Sequence, residues 1–104
     1  MLNTTLVYIE SEGKYLMIHR VKKVGDMNKD KWIGVGGKLE CGESPFDCAR
    51  REVMEECGVT PKNLKYRGIV TFVSDLYGTE YIHLFSALGY DGKINYDCNE
   101  GVLQ

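Results

Sequence analysis

Three glutamates near the middle of the chain have a spacing that suits metal chemistry. Glu52, Glu55 and Glu56 form an E-x-x-E-E pattern, and on a helix that advances about 100° per residue they share one arc. Clustered carboxylates repel one another at neutral pH, but they are the hard oxygen ligands that Mg²⁺ and Mn²⁺ prefer. An isolated cluster of this kind is more often a solvated acidic surface, so the glutamates alone leave both interpretations open.

The residues around the glutamates predict the helix that would hold them. Ser44 suits the N-cap, Pro45 the first helical position, Asp47 the place of a capping-box acid, and Gly58 a left-handed C-terminal cap. Apolar residues at helical spacing form a separate stripe that is predicted to pack on a sheet. This stripe consists of Phe46, Ala49, Val53 and Cys57.

The rest of the chain predicts strands and hairpins. Runs of β-branched and aromatic residues from Thr4 to Glu10 and from Lys14 to Arg20 flank a short Gly-containing turn. Residues 64–74 and 80–88 predict two longer strands. The hairpins exclude a purely parallel sheet, so the order of elements indicates a mixed α/β (α+β) fold in a single domain, residues 1–104.

Glycines concentrate just before the predicted helix. Residues 21–30 are polar and predict a loop, and the following segment, Trp32 to Leu39, contains three glycines. Glycine weakens a strand interior but suits a bulged or kinked strand where the backbone approaches a ligand closely. We therefore expect the functional site to begin in this segment.

Composition and charge argue against several classes of function. The 104 residues have a net charge of −2, whereas a protein that holds long nucleic acid needs a basic surface. No apolar run approaches about 20 residues and the N-terminus lacks a secretory pattern, so we expect a cytoplasmic protein. The cysteines lack zinc-ligand spacing and are expected to be reduced thiols. They are Cys41, Cys48, Cys57 and Cys98.

A longer pattern decides between the two interpretations of the glutamates. The chain has the spacing G-x5-E-x7-R-E-U-x-E-E-x-G-U, where U is an aliphatic residue, and a chance match is on the order of 10⁻⁹ per starting point. This pattern resembles the Nudix box at every defined position. The matching residues are Gly37, Glu43, Arg51, Glu52, Val53, Glu55, Glu56, Gly58 and Val59.

The resemblance to the Nudix hydrolase family implies a fold and a metal site. The family fold is an α/β/α sandwich with a mixed sheet, on which the box packs as a loop-helix-loop. By matching positions, Glu52, Glu55 and Glu56 would ligate Mg²⁺, for which Mn²⁺ is an expected substitute. The carbonyl group of Gly36 would be a further ligand.

The same resemblance assigns supporting roles within the box. Arg51 would orient the glutamates through charge-assisted hydrogen bonds, and Glu43 would shape the junction between loop and helix. Gly37 and Gly58 are expected to be structural. Two assignments are open for the general base, because members of the family often use a glutamate beyond the box: Glu52 is the first candidate, and Glu100 is an alternative base or outer metal ligand.

Segments outside the box suggest a substrate class. W-x-G-x-G-G-K (Trp32 to Lys38) and a late N-E-G (residues 99–101) look most like the MutT-like branch, which sanitises pools of oxidised purine triphosphates such as 8-oxo-dGTP. That resemblance implies hydrolysis of a nucleoside triphosphate to the monophosphate and pyrophosphate. Arg20 and Lys38 are candidate phosphate contacts, and Trp32 is a further candidate for substrate binding.

Two features limit what the resemblance implies about the substrate. Ile33 offers shape but no polar group, so base recognition must come from other residues. Family members usually continue past the N-E-G with a strand and a helix that covers the sheet. We therefore expect a C-terminally short chain that lacks this helix, with an apolar face for which a second copy is one candidate cover. Core packing is the expected role for most of the aromatic candidates for that face or for base stacking, which are Tyr66, Phe72, Tyr81 and Phe85.

Two alternatives to a triphosphate hydrolase remain at this point. The box serves equally well for another nucleoside diphosphate derivative, such as ADP-ribose, a sugar nucleotide or a dinucleoside polyphosphate. A module of this family that binds without hydrolysis is the second alternative. Such modules typically lose glutamates of the box, and none is missing from this sequence.

Overall fold

The computed structural model describes residues 2–19, 32–76, 78–94, 97–98 and 101–103. Within these ranges the chain forms short and long strands and a helix of 13 residues, so the predicted mixed α+β class is confirmed. The elements are β1 (Leu2–Ser11), β2 (Lys14–Leu16), β3 (Ile18–His19), β4 (Trp32–Ile33), α1 (Pro45–Cys57), β5 (Thr60–Pro61), β6 (Lys65–Ser74), β7 (Gly78–Leu88), β8 (Tyr90–Asp91), β9 (Asp97–Cys98) and β10 (Gly101–Leu103).

The three longest strands and the short β2 form one four-stranded sheet with the order β2-β1-β7-β6. Strand β1 pairs antiparallel with β2 and β7 pairs antiparallel with β6, whereas β1 and β7 run parallel, with Leu2 opposite Glu80. The predicted mixed sheet is therefore confirmed. A second sheet has the order β4-β3-β10-β9, and β5 pairs with β8, a division of the strands that the sequence did not predict.

The hairpin between β1 and β2 forms where the sequence predicts it. Its turn residues, Glu12 and Gly13, both have positive φ angles of 54° and 76°. This is the conformation that matches the twist of the two flanking strands. The predicted loop at residues 21–30 lies outside the described residues. No helix in the described part of the chain is long and apolar enough to cross a membrane.

Helix α1 begins and ends at the predicted caps. The Ser44 hydroxyl accepts a hydrogen bond of 3.1 Å from the amide of Asp47, which satisfies one of the unpaired donors of the first turn. Gly58 adopts a left-handed conformation with φ of 77°, and its amide donates to the carbonyl of Met54. Local capping chemistry thus fixes the boundaries of the helix that carries the glutamates.

The core lies between α1 and one face of the four-stranded sheet. Ala49, Val53 and Cys57 of the predicted stripe are fully buried, whereas Phe46 packs on the sheet at the margin of the core, with 43% of it exposed. Phe46 sits in the first helical turn, where it meets Phe85 at a centroid distance of 6.3 Å. The buried apolar set comprises Val7, Ile9, Leu16, Val35, Cys48, Ala49, Val53, Cys57, Val59, Phe85 and Ala87.

The aromatic candidates on the two long strands differ in burial. Phe85 is buried in the core, as expected, and Tyr81 is partly exposed. Core packing is wrong for Tyr66 and Phe72, which are 53% and 54% exposed. Both lie on β6, which is the last strand of its sheet in the described part of the chain and therefore has a neighbouring strand on one side.

Replacing Ser44 with Ala tests the N-cap. We expect the free energy of unfolding to fall by about 1 kcal/mol, because the first turn of α1 loses the acceptor for its Asp47 amide. Ser44→Gly is the matched control and should cost only a few tenths of that value. Urea denaturation of both variants measures the difference, and equal stability of Ser44→Ala and the native chain would contradict the assigned cap.

Candidate active site

The glycine-rich segment after β4 pairs with strand β1 and lies next to the glutamates of α1. Val35 and Val7 exchange backbone hydrogen bonds of 2.6 and 3.3 Å, and the amide of Thr5 donates to the carbonyl of Gly37 at 2.8 Å. Thr4 and Lys38 form a further antiparallel β-bridge between β1 and this segment. The prediction of a bulged or kinked strand is therefore met only in part, because Trp32–Ile33 alone forms a strand and the glycine segment pairs with β1 through two isolated bridges.

Two glycines in this segment allow approaches that any side chain would prevent. A Cβ atom at Gly36 would overlap the carbonyl oxygen of Thr5, and a Cβ atom at Gly37 would lie 2.5 Å from Cδ of Glu52. Backbone atoms of Thr5 and Leu6 exclude a side chain at Gly36, whereas a side chain at Gly37 would displace the carboxylate of Glu52. Gly37 thereby lets a carboxylate of α1 lie directly against the loop.

Arg51 connects the loop, the start of the helix and the helix itself. Its Nε and Nη2 atoms donate to the two carboxylate oxygens of Glu43 at 2.7 and 3.0 Å. Its Nη1 atom donates to Glu52 at 2.8 Å and to Glu55 at 3.1 Å, and Nε lies 2.9 Å from a carboxylate oxygen of Glu40. One guanidinium therefore stands among four carboxylates, and the cluster retains excess negative charge.

Glu43 and Arg51 form an ion pair with two hydrogen bonds at the loop–helix junction. Hydrogen bonds from Arg51, with one from the amide of Glu40, lower the pKa of Glu43 from its ordinary value of 4.5 to about 2. The same pairing raises the pKa of Arg51, so this group stays protonated. Two parallel hydrogen bonds also fix the guanidinium plane, which a lysine could not reproduce.

Glu52 and Glu56 lie closer to the loop than Glu55. The side chain of Glu52 is only 13% exposed, Glu56 is buried, and Glu55 is mainly exposed. The amide of Gly36 donates to the carboxylate of Glu56 at 3.3 Å. The three glutamates that share an arc in the sequence therefore differ in depth, with two of them directed at the glycine segment.

The thiol of Cys48 contacts the backbone of the glycine segment. This residue is fully buried, and its thiol lies 3.4 Å from the carbonyl oxygen of Lys38 and 3.4 Å from the Thr5 hydroxyl. Burial raises the pKa of this thiol, so it remains a neutral hydrogen-bond donor. Cys41 and Cys57 likewise form no disulfide, as predicted.

The structure brings together most of the residues that the sequence predicted for the site. Gly36, Gly37, Glu43, Arg51 and the three helical glutamates form one contiguous cluster, and Gly58 ends the helix below it. The side chain of Lys38 is exposed, whereas its carbonyl accepts a hydrogen bond from Arg51 at 3.0 Å. Arg20, Glu100 and the side chain of Trp32 lie outside what the structure describes.

Sequence reasoning missed three contributors to this cluster. Glu40 joins the Arg51 network, Thr5 anchors the glycine segment, and Cys48 supports it. Cys48 stands three residues before Arg51 on the helix, a spacing that places the two on neighbouring faces. Nothing comparable in the sequence marks Thr5, which reaches the loop through strand pairing alone.

The donor set fits a hard divalent cation in its chemistry. Glu52, Glu55 and Glu56 offer carboxylate oxygens beside the half-buried glycine segment, and a cation would offset the excess negative charge around Arg51. Among the described residues, no group of three or more His, Cys, Asp or Glu side chains is arranged to hold a metal ion. Glu52 and Glu55 accept hydrogen bonds from Arg51, and Glu56 accepts one from the amide of Gly36.

Comparison with known proteins identifies the family to which this arrangement belongs. The family model described as NUDIX domain matches residues 2–103. The chain belongs to the Nudix hydrolase family. Members of this family generally use divalent metal ions. The loop-helix-loop around Arg51 is therefore the Nudix box in both sequence and structure.

Two relatives are similar in sequence to this Nudix chain over most of its length. It is 38% identical over 92 residues to the "Oxidized purine nucleoside triphosphate hydrolase" of Danio rerio, covering 86% of this chain and 56% of that protein. It is 30% identical over 100 residues to an uncharacterized Nudix hydrolase of Bacillus subtilis (strain 168), covering 92% of this chain and 60% of the relative. The chain thus spans little more than half the length of these relatives.

The fold of this Nudix chain is similar to that of MutT proteins. A crystal structure of a MutT protein from Bacillus halodurans superposes with a TM-score of 0.83 at 24% identity, covering 100% of this chain and 67% of that one. At 24% identity, this similarity is evidence of a shared fold alone. It confirms the predicted Nudix fold with a mixed sheet and the box helix packed on it.

Titration of Glu43 predicts how stability depends on pH. Its folded-state pKa lies near 2, below the ordinary value of 4.5, so its pairing with Arg51 stabilises the chain fully above about pH 4.5. This contribution is lost as the pH falls from 4.5 towards 2. Urea denaturation should therefore show that the native chain loses more stability across this window than Glu43→Gln, which has no carboxylate to protonate.

The control for this comparison is Asp75→Asn. Asp75 is exposed in the turn between β6 and β7, and this variant keeps the pair of Glu43 and Arg51, so it should retain the loss of stability that this pair causes between pH 4.5 and 2. Parallel profiles for the native chain and Glu43→Gln would show that Glu43 carries no such linkage.

Proposed function

We propose that this chain hydrolyses a phosphoanhydride bond of a purine nucleoside triphosphate in a reaction that depends on Mg²⁺, releasing the monophosphate and pyrophosphate. Oxidised purines such as 8-oxo-dGTP are the proposed preferred substrates. The observation that carries this proposal is the cluster of four carboxylates around Arg51, set against a backbone segment that glycine keeps open.

The helical glutamates are the proposed ligands of the cation. Glu52, Glu55 and Glu56 would hold Mg²⁺, with Mn²⁺ as a substitute, and the carbonyl of Gly36 is a further proposed ligand. When bound, the cation neutralises phosphate oxygens and lowers the pKa of a coordinated water. The glutamates differ in burial, since Glu55 is mainly exposed and Glu56 is buried. They therefore offer carboxylate oxygens to a cation both at the surface of the site and in its interior.

The remaining residues of the box position the reacting groups. Arg51 holds Glu52 through a charge-assisted hydrogen bond of 2.8 Å, and Glu43 fixes the guanidinium that does so. We propose that Glu52 accepts the proton of the attacking water, with Glu100 as the alternative base. Lys38 and Arg20 are proposed phosphate contacts, and Trp32 is a proposed contact to the nucleoside.

A relative's printed name supports the substrate class. The Danio rerio protein that is 38% identical to this chain is named an oxidized purine nucleoside triphosphate hydrolase. Other nucleoside diphosphate derivatives, including ADP-ribose, sugar nucleotides and dinucleoside polyphosphates, are the competing substrates for the same box. The cytoplasmic location and a homodimer that covers an exposed sheet face stay predictions.

Hydrolysis assays test the proposed reaction. The chain is incubated with 8-oxo-dGTP, dGTP, ADP-ribose and diadenosine tetraphosphate in the presence and absence of Mg²⁺, and monophosphate and pyrophosphate are measured. We expect turnover that requires the cation and is fastest with a triphosphate. Fastest turnover of ADP-ribose would replace the proposed substrate, and no turnover of any compound would reject hydrolysis in favour of a binding module.

Removing the charge of one box glutamate should abolish most of this activity. Glu56→Gln keeps the size of the side chain and an oxygen that can accept the Gly36 amide, but it loses the negative charge. We expect kcat/KM to fall about 10²-fold or more, because loss of a residue that only supports a metal ligand already costs about 10- to 100-fold. Asp75→Asn is the matched control, and native activity of Glu56→Gln would reject the proposed ligand.

Gly37→Ala tests the close approach between the loop and the helix. Because the added Cβ would lie 2.5 Å from Cδ of Glu52, this carboxylate must move away from the loop. We expect kcat/KM to fall at least tenfold, since small displacements of a reacting group are costly. Asp75→Asn, in the exposed turn between β6 and β7, is the control, and native activity of Gly37→Ala would contradict the role of Gly37.

A further inference from the structure

An open cavity lies on the face of the four-stranded sheet that points away from α1. Side chains alternate between the two faces along a strand. Because Val7 and Ile9 of β1 are buried on the core side, Thr4 and Leu6 project from the opposite face. The cavity has a volume of about 200 Å³, comparable to six or seven waters at roughly 30 Å³ each and sufficient for one nucleobase. Its lining comprises Thr4, Thr5, Leu6, Gly34, Gly36, Gly37, Glu80 and Ile82.

The glycine segment separates this cavity from the carboxylate cluster. Gly36 and Gly37 line the cavity, and the same two residues meet Glu56 and Glu52 of the cluster. A molecule in the cavity therefore lies beside the segment that borders the proposed metal site. A nucleotide is the kind of ligand that would span both, with its base in the cavity and its phosphates towards the glutamates.

Glu80 is the charged member of the cavity lining. Its Oε2 atom accepts a hydrogen bond of 2.7 Å from the hydroxyl of Thr4, which orients the carboxylate. A carboxylate offers about four acceptor positions, so it can bind further N–H donors. The same charge disfavours phosphate groups and base edges that present lone pairs.

An exposed aromatic ring lies next to Glu80. Phe72 on β6 is the direct cross-strand partner of Glu80 on β7, so their side chains project from the same face of the sheet. Phe72 is among the exposed large apolar residues of the chain. A stacking surface beside an acceptor matches the two ways in which proteins hold a base, by ring stacking and by hydrogen bonds to its Watson–Crick edge.

We propose that Glu80 selects a guanine-type base for the proposed hydrolysis by accepting hydrogen bonds from adjacent ring and amino N–H groups, while Phe72 stacks on the ring. Guanine carries two such donors side by side, N1–H and the 2-amino group. Adenine places a lone pair at N1, next to its amino group, which the carboxylate repels. The edge is the same in guanine and 8-oxoguanine, so Glu80 accepts both. This inference rests on the proposed function for its substrate and supplies the polar contact that Ile33 lacks.

Equilibrium binding of monophosphates tests this assignment without requiring hydrolysis. dGMP and dIMP differ only in the 2-amino group, and their affinities are measured by titration of amide NMR signals in Mg²⁺ buffer. We expect the native chain to bind dGMP about tenfold or more tightly than dIMP, the range for one hydrogen bond to a charged group. Glu80→Gln should reduce this preference to about threefold or less, with amide spectra reporting that the variant is folded.

Two further variants separate stacking from hydrogen bonding. Phe72→Leu should weaken binding of both monophosphates by a similar factor and leave the dGMP preference unchanged, because stacking does not distinguish the two bases. Asp75→Asn should bind both like the native chain. A native chain that binds dGMP and dIMP equally, or a preference that Glu80→Gln retains, would overturn the assignment.

The result also distinguishes failure of this inference from failure of the proposed function. A chain that hydrolyses triphosphates but shows no Glu80-dependent preference contradicts the base site alone. A chain that prefers dGMP through Glu80 but hydrolyses nothing contradicts the proposed reaction alone. Failure of both measurements would reject a nucleotide site at this position.

Discussion

The guanidinium of Arg51 is the interaction on which the rest of the site depends. It binds the carboxylate of Glu43 with two hydrogen bonds, contacts Glu52 and Glu55 on its own helix, and donates to the carbonyl of Lys38 in the loop. Without this group, several carboxylates would face one another uncompensated in a partly buried place. Because Arg51 touches both loop and helix, it also fixes the position of the helix relative to the glycine segment.

The second constraint is the space that the backbone leaves free. The glycine segment pairs with β1 so closely that a side chain at Gly36 would overlap the carbonyl of Thr5. This pairing places one side of the segment against the helical glutamates and the other side against the cavity with Glu80. Charge compensation by Arg51 and strand pairing by β1 therefore act together, since each positions the same short stretch of backbone from a different side.

Features that arise within a few residues could be predicted from the sequence. The caps at Ser44 and Gly58 and the pairing of Arg51 with Glu55 depend on local geometry, and the residue pattern of the box identifies the family without any structure. Features that depend on tertiary packing could not. The burial of Glu52 and Glu56, compared with the exposed Glu55, follows from the position of the glycine segment against the helix, and the contact of Glu40 with Arg51 follows from the path of the loop that continues from this segment.

Long-range contacts explain the remaining gaps between sequence and structure. Thr4 and Glu80 are 76 residues apart and meet because β1 and β7 run parallel, which no local pattern indicates. Likewise, the exposure of Tyr66 and Phe72 follows from the position of β6 at the end of the sheet order, whereas their residue types alone favoured the core. Residue types thus predicted the carboxylate cluster on the helix, whereas strand order determined which distant residues, such as Thr4 and Glu80, lie in contact.

The most direct test of this account is the location of a bound divalent cation, because the central claim is that the box glutamates hold one. Substoichiometric Mn²⁺ added to ¹⁵N-labelled protein broadens amide signals close to the ion. We predict selective broadening at Gly36, Gly37 and the helical turn from Glu52 to Glu56, reversed by excess Mg²⁺ and absent in Glu56→Gln. Broadening centred elsewhere in the chain, or an unchanged pattern in Glu56→Gln, would contradict the account.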